Sequence, residues 1–258
     1  MSPLVKGYKK VNGIQMYYEI YGSGRPLVLI HGGGSSMLFD FKEAIERLQD
    51  KFQLIGIDLQ NHGMTEHRDI PETFEQDAHD IAALLKELEI DKASFWGFSN
   101  GGNTVMQVAH LYPGKVEKLI IASSFYKKSG MIDGFFESME NATFESLPEP
   151  LKINFLNQNP DFSKLENLFD KDCKRMQNFE DWDSIILTSI EVPTLLISGD
   201  KDVMKPEHTV EMWRLIPDAQ LMILPATHGS YMMADFEGNV DSNLIDLTVS
   251  EIEKFLNK

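Results

Sequence analysis

Cysteine is nearly absent from this sequence. Cys173 is the only one in 258 residues, so no internal disulfide can form. That scarcity fits a reducing compartment, and the cytoplasm is the expected location. Positive charge is also sparse: 24 Lys and Arg stand against 40 Asp and Glu, a formal net charge of −16. Nucleic-acid binding draws on clustered Lys and Arg, and the runs Tyr8–Lys10 and Tyr126–Lys128 are too short to supply them, so no nucleic-acid partner is expected. The acidic surface reads as solubilising, and at long range it disfavours anionic substrates. Long apolar runs are missing too. "PLVLI" and "KLIIA" fall far short of the ~20 residues that a membrane span needs. The first residues, "MSPLVKGYKKVNG", show no apolar h-region and no small-residue cleavage signal, so neither a secretory peptide nor a membrane partner is expected. There is no H-E-x-x-H, no paired Cys/His spacing, no G-x-x-x-x-G-K-[ST] and no G-x-G-x-x-G. The expectation is therefore no metal and no cofactor.

What is present is a regular alternation. At 42% hydrophobic and 25% charged residues the chain can bury a sizeable core. "MYYEIYG" (Met16 to Gly22) alternates apolar and polar, then "GSGRP" turns into "LVLIHG", which reads as a hairpin with a buried second strand. A helix is expected over Leu38 to Leu48 and a buried strand over Phe52 to Leu59. "TFEQDAHDIAALLKELEI" opens on a threonine with a glutamine three residues on. It carries an apolar stripe through Phe74, Ala78, Ile81, Leu84, Leu85 and Leu88, the clearest helix in the chain. "ASFWGFS" reads as a strand, "GGNTVMQVAHLY" as a helix and "VEKLIIASS" as a strand. After Pro193 come strand "TLLISGD", a helix from about Pro206 to Leu215, strand "AQLMILPAT" and a final helix over Asn243 to Leu256. Such alternation implies a mostly parallel α/β sheet covered on both faces. The pattern breaks over 125–187, a helical stretch rich in Phe, Met and acidic residues. We read 1–124 and 188–258 as the core and 125–187 as a helical cap.

In open parallel sheets, sites form beyond the carboxyl ends of the strands. Four such ends carry His31-Gly32-Gly33-Gly34, Gly97-Phe98-Ser99-Asn100-Gly101, Gly199-Asp200-Lys201-Asp202 and His228. A G-x-S-x-G between strand and helix forces so tight a turn that the serine is strained and its hydroxyl projects into the open. Ser99 is therefore the expected nucleophile, although glycines and serines also mark ordinary turns. A serine hydroxyl needs a base held by a third group. Seven histidines compete. His79 and His110 lie within helices, His67 in a charged loop and His208 at the start of a surface helix. His31 and His62, each before a glycine, suit a loop-shaping role. His228 alone follows a late strand on a loop leading into the last helix. The order Ser…Asp…His points to it as the base. Asp200 and Asp202 both stand where the orienting carboxylate belongs. Either could instead cap the next helix, and spacing does not choose between them.

The pieces "HGGG", "DLQNHGMT", "GFSNGG", "ISGDKDV" and "ATHGS" resemble, in order and spacing, the α/β-hydrolase superfamily over nearly the whole chain. Within it the sequence looks most like the compact cap-bearing esterases, enol-lactonases and C–C bond hydrolases. The resemblance implies an eight-stranded α/β-hydrolase fold with a small helical cap. It implies Asp202 as the triad acid, with Asp200 as fallback. It also implies an oxyanion hole from the backbone N–H groups of Asn100 and Gly33, with Gly34 the adjacent alternative. Asn100 departs from the Met or other apolar residue common at that position, but only its N–H is required. Asn61 departs from the commoner "GHG" in the Asp58 to Gly63 loop, which we read as structural. Relatives that cleave halides or epoxides carry an aspartate where Ser99 stands.

The expected activity is hydrolysis of a carboxylic ester or lactone through an acyl-enzyme on Ser99. The alternatives are a C–C bond hydrolase of a vinylogous diketone using the same triad, or a slow-turnover ligand-sensing homologue. Phe125, Tyr126, Met131, Phe135, Phe136, Met139, Phe144, Phe155 and Trp182 should mostly serve the cap's own packing, with some lining the entrance and favouring a small-molecule substrate with an apolar or aromatic group. Besides scattered lysines, Arg175, Lys127 and Lys128 are the cap cations that could grip a carboxylate, which leaves a dicarboxylate enol-lactone open but not favoured. The chain is expected to act as a monomer or homodimer.

Overall fold

Alternation along single strands sorts the core into two layers. In strand β3 (Pro26–Ile30), Leu27 and Leu29 project to one side while Val28 and Ile30 project to the other, and all four are fully buried. The structure, a computed structural model, describes residues 2–258. Its strands are β1 (Val5–Val11), β2 (Ile14–Tyr21), β3, β4 (Gln53–Ile57), β5 (Ala93–Phe98), β6 (Val116–Ala122), β7 (Thr194–Lys201) and β8 (Ala219–Thr227). They form one eight-stranded sheet in the order β1-β2-β4-β3-β5-β6-β7-β8. Six strands, from β4 to β8 in that order, run parallel, and β2 is antiparallel to both its neighbours.

On one face, α1 (Met37–Leu48) and α9 (Ser242–Asn257) bury Phe41, Ile45, Ile245 and Ile252 against Leu27, Leu29 and Leu54. On the other, α2 (Phe74–Glu87), α3 (Asn100–Leu111) and α8 (Pro206–Leu215) pack Ile81, Leu85, Val105 and Met212 against Val28, Ile30 and Ile55. Helix starts follow local chemistry. The side chains of Ser36 and Thr73 accept from the N–H three residues on, each such cap contributing about 1 kcal/mol.

The first hairpin differs from the one expected. β2 pairs with β1 and β4, not with β3. Its turn is Asn12-Gly13, both at positive φ (43° and 93°), the geometry of a two-residue primed hairpin. Gly22 to Arg25 instead passes over the end of β4. A side chain at Gly22 would meet the Gln49 carbonyl oxygen at 1.9 Å, so that crossing requires glycine.

Between β6 and β7 the chain forms four helices: α4 (Phe135–Glu140), α5 (Glu149–Gln158), α6 (Phe162–Gln177) and α7 (Ile185–Thr188). Among the described residues the stretch forms one isolated bridge, Met131 to Met204. Helix α6 starts where Asp161 accepts from the N–H groups of Ser163 and Lys164. Its inner face holds Leu165, Leu168, Phe169 and Met176, but also Asp172 and Arg175. Two charged groups on a buried face need partners, and they find them in the core. Among the described residues no helix is long and apolar enough to cross a membrane.

Candidate active site

The parallel strands bring their carboxyl ends to one edge, and the four groups singled out there meet. Ser99 joins β5 to α3 at φ 53°, ψ −123°, a conformation costing a non-glycine residue about 1–3 kcal/mol. The turn is held by Ser99 N–H on the Ala122 carbonyl (2.9 Å) and by Gly102 N–H on the Ser99 carbonyl (2.8 Å). Any Cβ at Gly97 would sit 2.1 Å from the Gly101 carbonyl oxygen. One at Gly101 would sit 2.1 Å from that of Ile30. Neither obstacle is a side chain that could move aside, so the glycines follow from the closeness of strand, helix and neighbouring strand.

His228, just past β8, places Nε2 3.2 Å from Ser99 Oγ and Nδ1 2.7 Å from Asp202 Oδ1. That arrangement suits Nδ1–H donating to the carboxylate, with Nε2 free to accept from the serine. The carboxylate of Asp202 is fully buried. Burial alone would raise its pKa. The bond from His228 and its charge, with donors from Ser123 and the Gly199 amide, outweigh that and hold it below the usual carboxylate value. Asp200 is elsewhere: it is exposed and accepts from Ala226 N–H at 3.0 Å. Of the two aspartates that spacing left open, Asp202 is the one in contact with His228.

Sequence reasoning did not single out Ser123 or Tyr231. Ser123 Oγ donates to Asp202 Oδ2 at 2.5 Å and lies 2.6 Å from the Tyr231 hydroxyl. Since Ser123 spends its proton on the carboxylate, Tyr231 donates to Ser123. Burial, reinforced by the Asp202 charge, raises the Tyr231 pKa well above its ordinary value and keeps it a donor. The available signal was position: Ser123 directly follows β6, a strand end that carries none of the sequence motifs.

The His31 to Gly34 turn follows β3. His31 is buried, and Nε2 accepts from Leu59 N–H (3.0 Å) while Nδ1–H donates to the Gly32 carbonyl (2.7 Å). Desolvation pushes its pKa down to about 3, so the ring stays neutral. Gly32 N–H donates to Asp40 and Gly34 N–H to Asp172. Among the described residues, the N–H groups of Gly33 and Asn100 have no acceptor within the protein. The Asn100 side-chain amide lies across Gly33, where a Cβ would meet its Nδ2 at 2.6 Å.

Other histidines fall as follows. His62, expected only to shape a loop, donates Nδ1–H to the Gln60 carbonyl (2.8 Å) and contacts Asp172 through Nε2 at 2.9 Å. His208 is not on a surface: it is buried, stacked on Tyr126 at 5.0 Å, and accepts Tyr126 N–H. The turn after β6 folds back over the start of α8 and covers it. Asp58 is buried and ties the Asn61–Gly63 loop to α1 by accepting from Met64 and Met37 N–H, both at 3.0 Å.

Two cavity lobes meet at Ser99. One, about 210 Å³, is walled by Phe135, Met139, Leu168, Phe169 and Met176 below the β6–β7 helices. The other, about 280 Å³, lies beside His228, with Phe39, Met233 and Phe236. Gly33, Ser99 and Leu151 border both, and no Lys or Arg lines either. Arg175 pairs with Asp77 (2.9 Å), Glu72 (3.6 Å) and Asp172. Lys127 is engaged by Glu211, and Lys128 lies over the Phe136 ring. None of the three expected cations reaches the lobes. A larger groove of about 980 Å³, lined by Arg68, His79 and Tyr112, contains none of the strand-end groups. Among the described residues no three His, Cys, Asp or Glu side chains are grouped to hold a metal ion.

Comparison with known proteins agrees with this architecture. The serine hydrolase BPHL of Mus musculus is 26% identical over 237 residues, covering 83% of this chain and 77% of that protein. Among solved structures, a meta-cleavage product hydrolase from Pseudomonas fluorescens superposes with TM-score 0.77 at 19% identity, over 97% of this chain and 98% of that one. The enol-lactonase of Burkholderia xenovorans superposes with TM-score 0.75 at 21% identity, over 97% and 100%. The family model of the alpha/beta hydrolase fold matches residues 25–177, which run from β3 through the Ser99 turn to the end of α6, and the chain belongs to that family.

Proposed function

We propose that the protein is a serine hydrolase that cleaves a small, uncharged carboxylic ester or lactone through an acyl-enzyme on Ser99, with residues 125–187 acting as a cap. The observation that carries this reading is the Ser99–His228–Asp202 relay at 3.2 and 2.7 Å, set on a strained turn. Ser99 Oγ attacks the carbonyl carbon while His228 Nε2 takes its proton. Asp202 stabilises the imidazolium and holds the ring's orientation. The Gly33 and Asn100 N–H groups, unpaired among the described residues, receive the oxyanion, and losing one such donor typically costs ~10²–10³ in rate. His228 returns the proton to the leaving oxygen. It then activates a water that attacks the acyl-enzyme, and Ser99 Oγ departs as the carboxylic acid forms.

The lobes meet at Ser99, and each, about 210 or 280 Å³, has room for one small part of the substrate, which favours short groups on either side of the scissile bond. With no Lys or Arg in either lobe, a substrate carboxylate would be desolvated without a partner, which disfavours a dicarboxylate lactone. The likeness to a meta-cleavage product hydrolase supports a second reading, cleavage of a C–C bond in a vinylogous diketone by the same triad. A fluorophosphonate probe, with p-nitrophenyl esters and lactones of graded length, tests the proposal. Ser99 should be labelled and short uncharged esters preferred, with kcat falling ~10⁶-fold in Ser99→Ala. An unlabelled wild type would return the protein to a ligand-sensing role. Ketone products from a diketone substrate, with the esters inert, would select the second reading.

A further inference from the structure

The turn after β3 presents three consecutive glycine amides, and the two outer ones are occupied. Gly32 N–H donates to Asp40 Oδ2 at 2.7 Å, and the other oxygen of Asp40 accepts the Ser35 hydroxyl at 2.6 Å. Gly34 N–H donates to Asp172 Oδ2. Gly33, between them, is left without a protein acceptor among the described residues. The two carboxylates come from different parts of the fold. Asp40 stands on α1, against the sheet, whereas Asp172 stands on α6, in the helical segment 138 residues along the chain from Gly34. We propose that Asp172 is a positioning residue: reaching down from the cap, it holds the Gly34 amide aside so that Gly33 N–H is the loop's one donor to the oxyanion. The donor pair is then complete only while the cap is seated. This rests on the hydrolase reading above.

A carboxylate this close to a developing oxyanion would oppose it unless its charge were met. Here it is met twice. His62 Nε2 lies 2.9 Å from Asp172 Oδ2, and the Arg175 guanidinium bonds Oδ1. Burial of His62 would lower its pKa, but the charge of Asp172 and the bond to it push it up to about 9, so the ring is an imidazolium at neutral pH. The same two cations hold Asp172 well below the usual carboxylate range despite its burial. Arg175 is fixed in turn by Asp77 on α2, at 2.9 Å. The cluster anchors α6 to the core, and the one contact it adds beyond anchoring is the Gly34 amide. Asp172 also shapes the site at Gly33, where a Cβ would lie 3.2 Å from its Oδ2.

The test uses the full chain as wild type, Asp172→Ala and Asp172→Asn. Amide hydrogen exchange read by NMR needs no substrate. In the wild type Gly32 and Gly34 should exchange slowly and Gly33 fast. Asp172→Ala should release Gly34 while leaving Gly32 slow. In ester hydrolysis Asp172→Ala should lower kcat about 10–100-fold with KM within about threefold, since a misplaced donor is felt in the transition state. Asp172→Asn, whose amide oxygen still accepts from Gly34, should regain most of that loss even if its thermal midpoint stays low. A mere anchoring role predicts a lower midpoint with kcat unchanged, and that result overturns the proposal, as does fast Gly34 exchange in the wild type. Failure of the hydrolase reading looks different: wild type itself inert to the fluorophosphonate probe.

Discussion

Replacing Ser123 by alanine tests the relay behind Asp202. The hydroxyl donates to Asp202 Oδ2 at 2.5 Å and receives the Tyr231 proton at 2.6 Å, and Tyr231 is fully buried with no other hydrogen-bond partner among the described residues. Ser123→Ala therefore does two things. It removes a bond to a charged acceptor, worth about 1.5–3 kcal/mol, and strands a buried phenol, worth about 1–3 kcal/mol. Partial relaxation puts the expected loss at about 2–5 kcal/mol, a large share of the ~5–15 kcal/mol typical of a folded domain. Tyr231→Phe alone should cost only ~1 kcal/mol, because Ser123 keeps its bond to the carboxylate. The double variant Ser123→Ala/Tyr231→Phe should then be more stable than Ser123→Ala by about 1–3 kcal/mol, since no phenol is left unpaired. Urea unfolding of the four proteins measures this directly. The kcat of Ser123→Ala should fall only a few fold, because Val203 and Gly199 N–H still hold the carboxylate that faces His228. Additive losses in the cycle, with the double variant the least stable, would refute the assigned direction of the relay.

Two further outcomes follow from buried groups on or beside α6. His62 is held at about 9 against an ordinary 6.5. Its raised folded-state value means its contribution is fully present below pH 6.5 and is lost as pH rises through about 9. Stability measured from pH 7 to 10 should fall more steeply for the wild type than for His62→Gln, and parallel curves would refute the imidazolium. Cys173 borders the lobe below the β6–β7 helices, and burial followed by the charges of Asp172 and Asp170 pushes its thiol up to about 11. Iodoacetamide should therefore modify the folded protein slowly at pH 7.5 and much faster at pH 10, as read by mass spectrometry. Rapid labelling at pH 7.5 would contradict that environment.

Much of the architecture is local in origin and could be read directly. Apolar runs with β-branched residues make the central strands, and the helix starts expected at Leu38, Thr73 and Pro206 fall at or within a residue of those observed. The first hairpin departs from the expected one because Gly22-Ser23-Gly24 has turn composition without joining paired strands, whereas Asn12-Gly13 carries the hairpin geometry. His208 was misplaced because helix position says nothing about what another segment, here Tyr126, lays over it. Arg175 was expected to face a substrate. Its spacing from Asp172 is visible in sequence, but not the Asp77 and Glu72 carboxylates that turn it away from the lobes.

By itself the sequence determined the strand–helix alternation, the tight glycine turns and the presence of a serine, an aspartate and a histidine at strand ends. Each of those depends on residues a few positions apart. Only the tertiary structure set Asp202 rather than Asp200 against His228, placed Ser123 and Tyr231 behind that carboxylate, and set Asp172 against the Gly34 amide. Those contacts join residues 26, 79, 108 and 138 positions apart. No periodicity encodes such pairs. They exist because the parallel sheet gathers its strand ends at one edge and α6 carries its buried charges down onto that edge.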